Sequence, residues 1–145
     1  MTYTLDVIEG LAELLTGQAL GVYRPDSPFQ AGETAIVTYR MPPAPDRAIC
    51  LTPYPIEDSG GTDTITAVQV RMRCGVDPRD VAALADDVFA VLHGREAFAL
   101  RGVPVALMWR QSEAVLGMDA NGRLEITANY YARTTRTRAT PNAYE

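Results

Sequence analysis

The chain has no lysine, one histidine, one tryptophan and two cysteines in 145 residues. Each scarcity removes a class of chemistry. Without lysine there is no phosphate cradle of the P-loop kind, and Ser59-Gly60-Gly61 is followed by no helix start. One histidine and two distant cysteines, Cys50 and Cys74, assemble no tetrahedral zinc set at a usual spacing. The same cysteines give no disulfide framework and read as reduced core thiols. No apolar run approaches the roughly 18 residues that a membrane-spanning helix needs. The first helix-like stretch carries Asp6, Glu9 and Glu13 and lacks a basic leader, so it does not read as a signal peptide. A serine–histidine–aspartate system would have to use His93, and no strand-turn-helix serine elbow is present.

The remaining composition is that of a globular domain, 47% hydrophobic and 21% charged. At this length one domain buries a core of its own. Charge is unevenly spread. Residues 1–132 hold ten arginines against seventeen acids, a net of −7, and residues 133–145 hold three arginines against one acid, a net of +2. A negative body lacks the clustered positive charge that displaces counterions from nucleic acid, although it lets DNA slide past.

Periodicity sets out the elements. Leu5, Ile8, Leu11, Ala12 and Leu15 recur at helical spacing, which predicts a helix over Thr4–Thr16 with Thr4 as cap and Gly17 as left-handed stop. A short Leu20–Tyr23 segment and strands at Ala35–Arg40 and Ala48–Thr52 follow, with Pro42, Pro43 and Pro45 marking a connection. Residues Pro53 to Asp63, with two prolines, two glycines and three acids, read as a loop. Thr64–Cys74 alternates as a strand, with Val68, Val70 and Met72 on one face and Gln69, Arg71 and Arg73 on the other. Asp77-Pro78 then opens a second helix whose buried stripe is Val81, Leu84, Ala85, Val88, Phe89 and Leu92, closed by His93 and Gly94. The imidazole of His93 is placed to cap carbonyls there. Val103–Gln111 reads as a strand with Val105, Leu107 and Trp109 on one face. Leu116–Met118 and Arg123–Ala132 form a hairpin across Asp119-Ala120-Asn121-Gly122. Beyond Ala132 the chain has no apolar period and reads as a polar tail, 133–145, attached to a domain of residues 1–132.

Candidate chemistry is thin. Asp86 and Asp87 are adjacent on the second helix and diverge, so they do not share a cation. Glu57, Asp58 and Asp63 lack the spaced order of a calcium loop. Tyr130, Tyr131 and Trp109 have the composition of a base-stacking platform, but aromatic residues on strands more often pack or meet partners, and the body is acidic. No pair of carboxylates is singled out for glycoside chemistry.

Several phrases, in this order, carry a resemblance. They are Thr66-Ala-Val-Gln-Val-Arg-Met-Arg-Cys, then Asp77-Pro78-Arg79 leading into Leu84-Ala85-Asp86-Asp87-Val88, then Gly102-Val103-Pro104-Val105, and last the run from Gly117 to Arg133. Together with the element order they resemble the tail terminator proteins, also labelled minor capsid or minor tail proteins, of long-tailed bacteriophages, over roughly residues 3–133. The resemblance implies an α+β fold, a mixed or antiparallel sheet packed by two helices with a terminal β-hairpin. It implies a non-enzymatic subunit without cofactor or metal. A hexameric ring of such subunits ends the tail tube, joins it to the head connector, and passes DNA through its lumen. The implied partners are further copies, the tube protein and the connector or stopper. The implied location is the virion's tail–neck junction, after assembly in the host cytoplasm. Neighbouring readings are a head-completion, connector or tail-tube protein, or a small host enzyme or binding domain. Glu57, Asp58, Asp63, Gln69, Arg71, Arg73, Arg133, Arg136 and Arg138 are the candidate subunit-interface residues. Pro55–Thr64 and Arg133–Glu145 are expected to order only against neighbours.

Overall fold

The N-terminal apolar stripe folds as α1, Tyr3–Gly17, burying Val7, Ile8, Leu11, Ala12 and Leu15. The computed structural model describes residues 2–137. The ends of α1 differ from expectation: Thr2, rather than Thr4, caps the helix, and the left-handed residue is Ala19 at φ 63, two positions after Gly17. Gly10 lies against the sheet, where an added Cβ would sit 2.9 Å from the backbone of Leu100. The second helix, α2, spans Pro78–Leu92, with Asp77 accepting from the Arg79 amide at 3.0 Å. Its stripe Val81, Leu84, Ala85, Val88 and Leu92 is buried as expected. Phe89 is only half-buried; it stacks on His93 with ring centres 4.4 Å apart, and the Arg110 guanidinium lies 4.2 Å from its ring centre. His93 does not cap carbonyls with its ring. Its Nδ1 accepts the Arg110 amide at 3.0 Å, which ties the end of the helix to the sheet.

The strands are β1 (Val22–Tyr23), β2 (Ala35–Thr38), β3 (Ala48–Asp58), β4 (Asp63–Arg73), β5 (Arg95–Leu100), β6 (Val103–Met118) and β7 (Leu124–Thr135). They form one sheet in the order β1-β2-β3-β4-β7-β6-β5, parallel from β1 to β3 and antiparallel beyond. The α+β class and the terminal hairpin are as expected. Both helices share one core with the sheet residues Ile49, Leu51, Val68, Val70, Met72, Met108, Ala128 and Tyr130. Cys50 and Cys74 are buried free thiols, and burial pushes both pKa values up.

Several expectations are corrected. Pro53–Asp63 is no loop: β3 runs through both prolines to Asp58, and only Ser59–Thr62 turns the chain into β4. The prolines are tolerated because β2 stops pairing at Leu51, so the outer edge of β3 is free where Pro53 and Pro55 lack their N–H groups. Strand β5 lies outside the expected elements: positive φ at Ala97 (51) interrupts its alternation, and Arg101 (φ 46) turns the chain into β6. Val105, Leu107 and Trp109 do not share a face, since an irregularity between Val105 and Leu107 turns the strand over and puts Val105 and Met108 in the core. Nor does the sheet end at Ala132. Arg133, Thr134 and Thr135 continue β7, and the Thr134 hydroxyl shares the Tyr3 hydroxyl at 2.6 Å, with Thr66 at 2.7 Å.

At one end of the sheet, two arginines fasten the proline-rich connection between β2 and β3. Arg73 is 2% exposed. It donates to the carbonyls of Asp46 (2.8 Å), Pro42 (2.8 Å) and Pro45 (2.6 Å). Arg123 donates to the Pro43 carbonyl and to an Asp46 carboxylate oxygen, each at 3.0 Å, and to Asp119 at 2.8 Å. Burial, with Arg123 close by, lowers the pKa of Arg73. A cation so enclosed is held by the carbonyl dipoles, because no carboxylate among the described residues pairs with it directly. Replacing it by an apolar chain of similar length strands those carbonyls. Arg73→Met is expected to lower the unfolding free energy by about 2–4 kcal/mol. Urea denaturation checks this, and an unchanged midpoint would show that the connection holds itself.

Candidate assembly interface

Because both helices share one core with one side of the sheet, no element among the described residues covers the other side over its central strands. The strand register arranges it in rows. Tyr54, Ala67, Tyr131 and Trp109 stand side by side on β3, β4, β7 and β6. Tyr131 and Trp109 meet edge to face with ring centres 5.8 Å apart. The next row is Thr52, Gln69, Asn129 and Ser112. Here Asn129 accepts from the Tyr54 hydroxyl and donates to Ser112, both at 2.9 Å. On the far side of the aromatic row lie Ile65, Arg133 and Leu107. Ile65, Leu107, Trp109, Tyr131 and Tyr54 are half-buried and Arg133 is exposed. A solvated sheet face normally alternates to polar residues; this one is aromatic and aliphatic at its centre.

The candidate interface residues fall into separate groups. Glu57, Asp58 and Asp63 are exposed at the β3–β4 turn, where Glu57, Asp63 and Arg133 line one small hollow. Gln69 and Arg71 lie on the bare face, half-buried, with Arg71 paired to Glu125. Arg73 is not on an exposed face at all, being enclosed by the connection described above. Arg136 serves its own fold: its amide donates to the Thr62 carbonyl at 2.8 Å, and its guanidinium lies 4.4 Å from the Tyr3 ring centre. Arg138 lies outside the described residues. The segment 55–64, expected to order only on binding, is paired in the hairpin of β3 and β4.

One group escaped sequence reading. At the β6–β7 end of the sheet, Val115, Leu116 and Met118 are 65%, 52% and 65% exposed, and Val76 before α2 is 71% exposed. The signal is the apolar run Ala114-Val-Leu-Gly-Met just before the turn. The β6–β7 turn and the acidic β3–β4 turn stand at opposite ends of β4, since Asp63 aligns with Thr135 and Arg73 with Glu125.

Tyr130 is fully buried, with its pKa pushed up to about 12 by burial, so it is no stacking platform. A depression of about 460 Å³ is lined by Glu33, Asp46, Arg47 and Asp80. Two of its carboxylates are engaged, Glu33 with Arg24 and Asp46 with Arg123. Among the described residues no group of three or more His, Cys, Asp or Glu is placed to hold a metal ion. No helix among them is long and apolar enough to cross a membrane.

Residues 14–136 match the model of a family described as bacteriophage tail terminator protein. The protein is thus a structural component of a phage tail, and so of a virion, where it meets other phage structural proteins. It belongs to the bacteriophage tail terminator family. A chain from the virion of a native gene transfer agent particle has the same fold, with a TM-score of 0.54 and 16% identity over 68% of this chain and 78% of that one. No curated protein matches.

Because Leu116 packs against so little of its own chain, Leu116→Asp is expected to change the unfolding free energy by less than about 0.5 kcal/mol. The same variant is expected to reduce incorporation into tails. A large loss in urea denaturation would show instead that Leu116 supports the fold.

Proposed function

We propose that the protein closes into a ring of about six copies that ends the tail tube, joins it to the head connector, and lets DNA pass through its lumen. The observation that supports this reading is the pairing of family with surface. A tail terminator subunit here carries chemically different surfaces: an aromatic sheet face, an acidic turn at one end and an apolar turn at the other. Unlike patches on one subunit meet head to tail, and such contacts either close into a ring or grow into a filament. The net charge of −5 suits a channel that must not hold its cargo. The protein works without catalysis, assembles in the host cytoplasm, and stays at the junction of tail and neck. Its partners are copies of itself, the tube protein and the connector or stopper. Glu57, Asp58, Asp63, Gln69, Arg71 and Arg133 belong to the surfaces that meet neighbours. The apolar end of β6–β7 faces a different partner from the aromatic sheet face.

Mass photometry tests the reading on purified protein, alone and with the tail tube protein added. The expected result is a closed species of about six times the 15.8 kDa subunit. A monomer under both conditions, or open-ended polymers without a preferred size, would contradict it.

A further inference from the structure

The ring reading leaves open which surfaces of adjacent copies meet. Two surfaces on opposite sides of the subunit fit each other. The first is the bare sheet face, with its aromatic row Tyr54, Tyr131 and Trp109 and the exposed Arg133 beside it. Arg133 makes no ion pair among the described residues. The second is the outer side of α2. Ala82, Ala83, Asp86, Asp87 and Ala90 are all exposed there, one turn apart on the side away from the core. Neither Asp86 nor Asp87 makes an ion pair among the described residues.

Resting on the ring reading, we infer that the outer face of α2 from a second copy packs on the bare sheet face, with one of the two diverging carboxylates, Asp86 or Asp87, against Arg133. The match is one of shape and of charge. Alanines at 82, 83 and 90 let a helix backbone approach the aromatic sheet face closely, while a helix of long side chains would be held off. The unpaired aspartates supply negative charge where the sheet face presents an unpaired guanidinium. Opposite charges across a contact set its register and disfavour the reversed arrangement, in which two α2 faces would meet acid to acid. The contact is heterologous, because the sheet face and the α2 face lie on opposite sides of the same subunit. It therefore propagates from copy to copy as a ring requires.

The absence of lysine gives a direct test. Arg133→Lys keeps the charge and introduces the one side-chain amine in the sequence. A carbodiimide then joins that amine only to a carboxylate in contact with it. Rings are assembled from an equal mixture of ¹⁵N-labelled and unlabelled protein, cross-linked, and digested for mass spectrometry. The expected product links position 133 to the peptide carrying Asp86 and Asp87, with mixed labels showing that it joins two copies. Links confined to Glu57 and Asp63 of the adjacent β3–β4 turn would overturn the inference while leaving the ring reading intact. A parallel experiment uses charge exchange. Asp86→Arg with Asp87→Arg raises the concentration needed for half-assembly by at least about tenfold, and adding Arg133→Glu recovers most of that loss. Unchanged assembly of the double variant would also overturn the inference alone. A wild-type protein that never assembles, alone or on the tube protein, removes the ring reading and this contact with it.

Discussion

The buried guanidinium of Arg73 fixes the end of the sheet on which the remaining surfaces depend. It gathers three carbonyls from the Pro42–Asp46 connection, and Arg123 beside it takes a fourth carbonyl together with Asp46 and Asp119. Two cations close together are unfavourable in themselves, which is part of why the pKa of Arg73 falls. The carbonyl dipoles and the two carboxylates offset that cost. Prolines make the arrangement possible, because a segment with few N–H groups has carbonyls to spare and little internal hydrogen bonding of its own. The consequences reach both hairpins. The connection is bound to the end of β4, the turn between β6 and β7 is bound to the connection through Asp119 and Arg123, and Arg71 and Glu125 bridge the next row of strands. That end is thus a fixed platform from which Val115, Leu116 and Met118 project.

Away from the platform, the two sides of the sheet have unlike fates. One side is filled by α1 and α2 and forms the single core. The other keeps Trp109, Tyr131 and Tyr54 in a row that no element among the described residues covers. Antiparallel sheets commonly tolerate one wet side, but usually with polar residues on it. An aromatic row at that position is the surface that the proposed ring contact uses.

Much of this was legible in the sequence wherever one local rule acted without competition. Helix α2 was, because Asp77, Pro78 and the stripe from Val81 to Leu92 all point to the same boundaries. So was the β6–β7 turn, where Asn121-Gly122 needs a tight reversal and Gly122 takes φ 76. Reading failed where tertiary context reversed a local preference. Pro53 and Pro55 argued for a loop, yet they occupy an edge that no strand covers. Ala97 and Arg101 adopt left-handed geometry that their residue types do not announce, which hid β5. The shift between Val105 and Leu107 separates Val105, in the core, from Leu107 and Trp109 on the bare face. Arg73 sat on the polar side of an alternating strand as expected, but the connection that covers it is fixed only in three dimensions. Gln69, Arg71 and Arg133 do share one face, whereas Glu57, Asp58 and Asp63 stand at its rim.

The central claim is positional: identical subunits, each meeting its neighbour through unlike surfaces, form the piece that ends the tail at its head-proximal side. Cryo-electron microscopy of the purified virion, at a resolution that traces the chain, measures this most directly. The account predicts a closed ring of this fold around the tail axis between tube and connector, with every copy in an equivalent environment. Density for this chain at the distal tip, or on the capsid away from the tail axis, would contradict it.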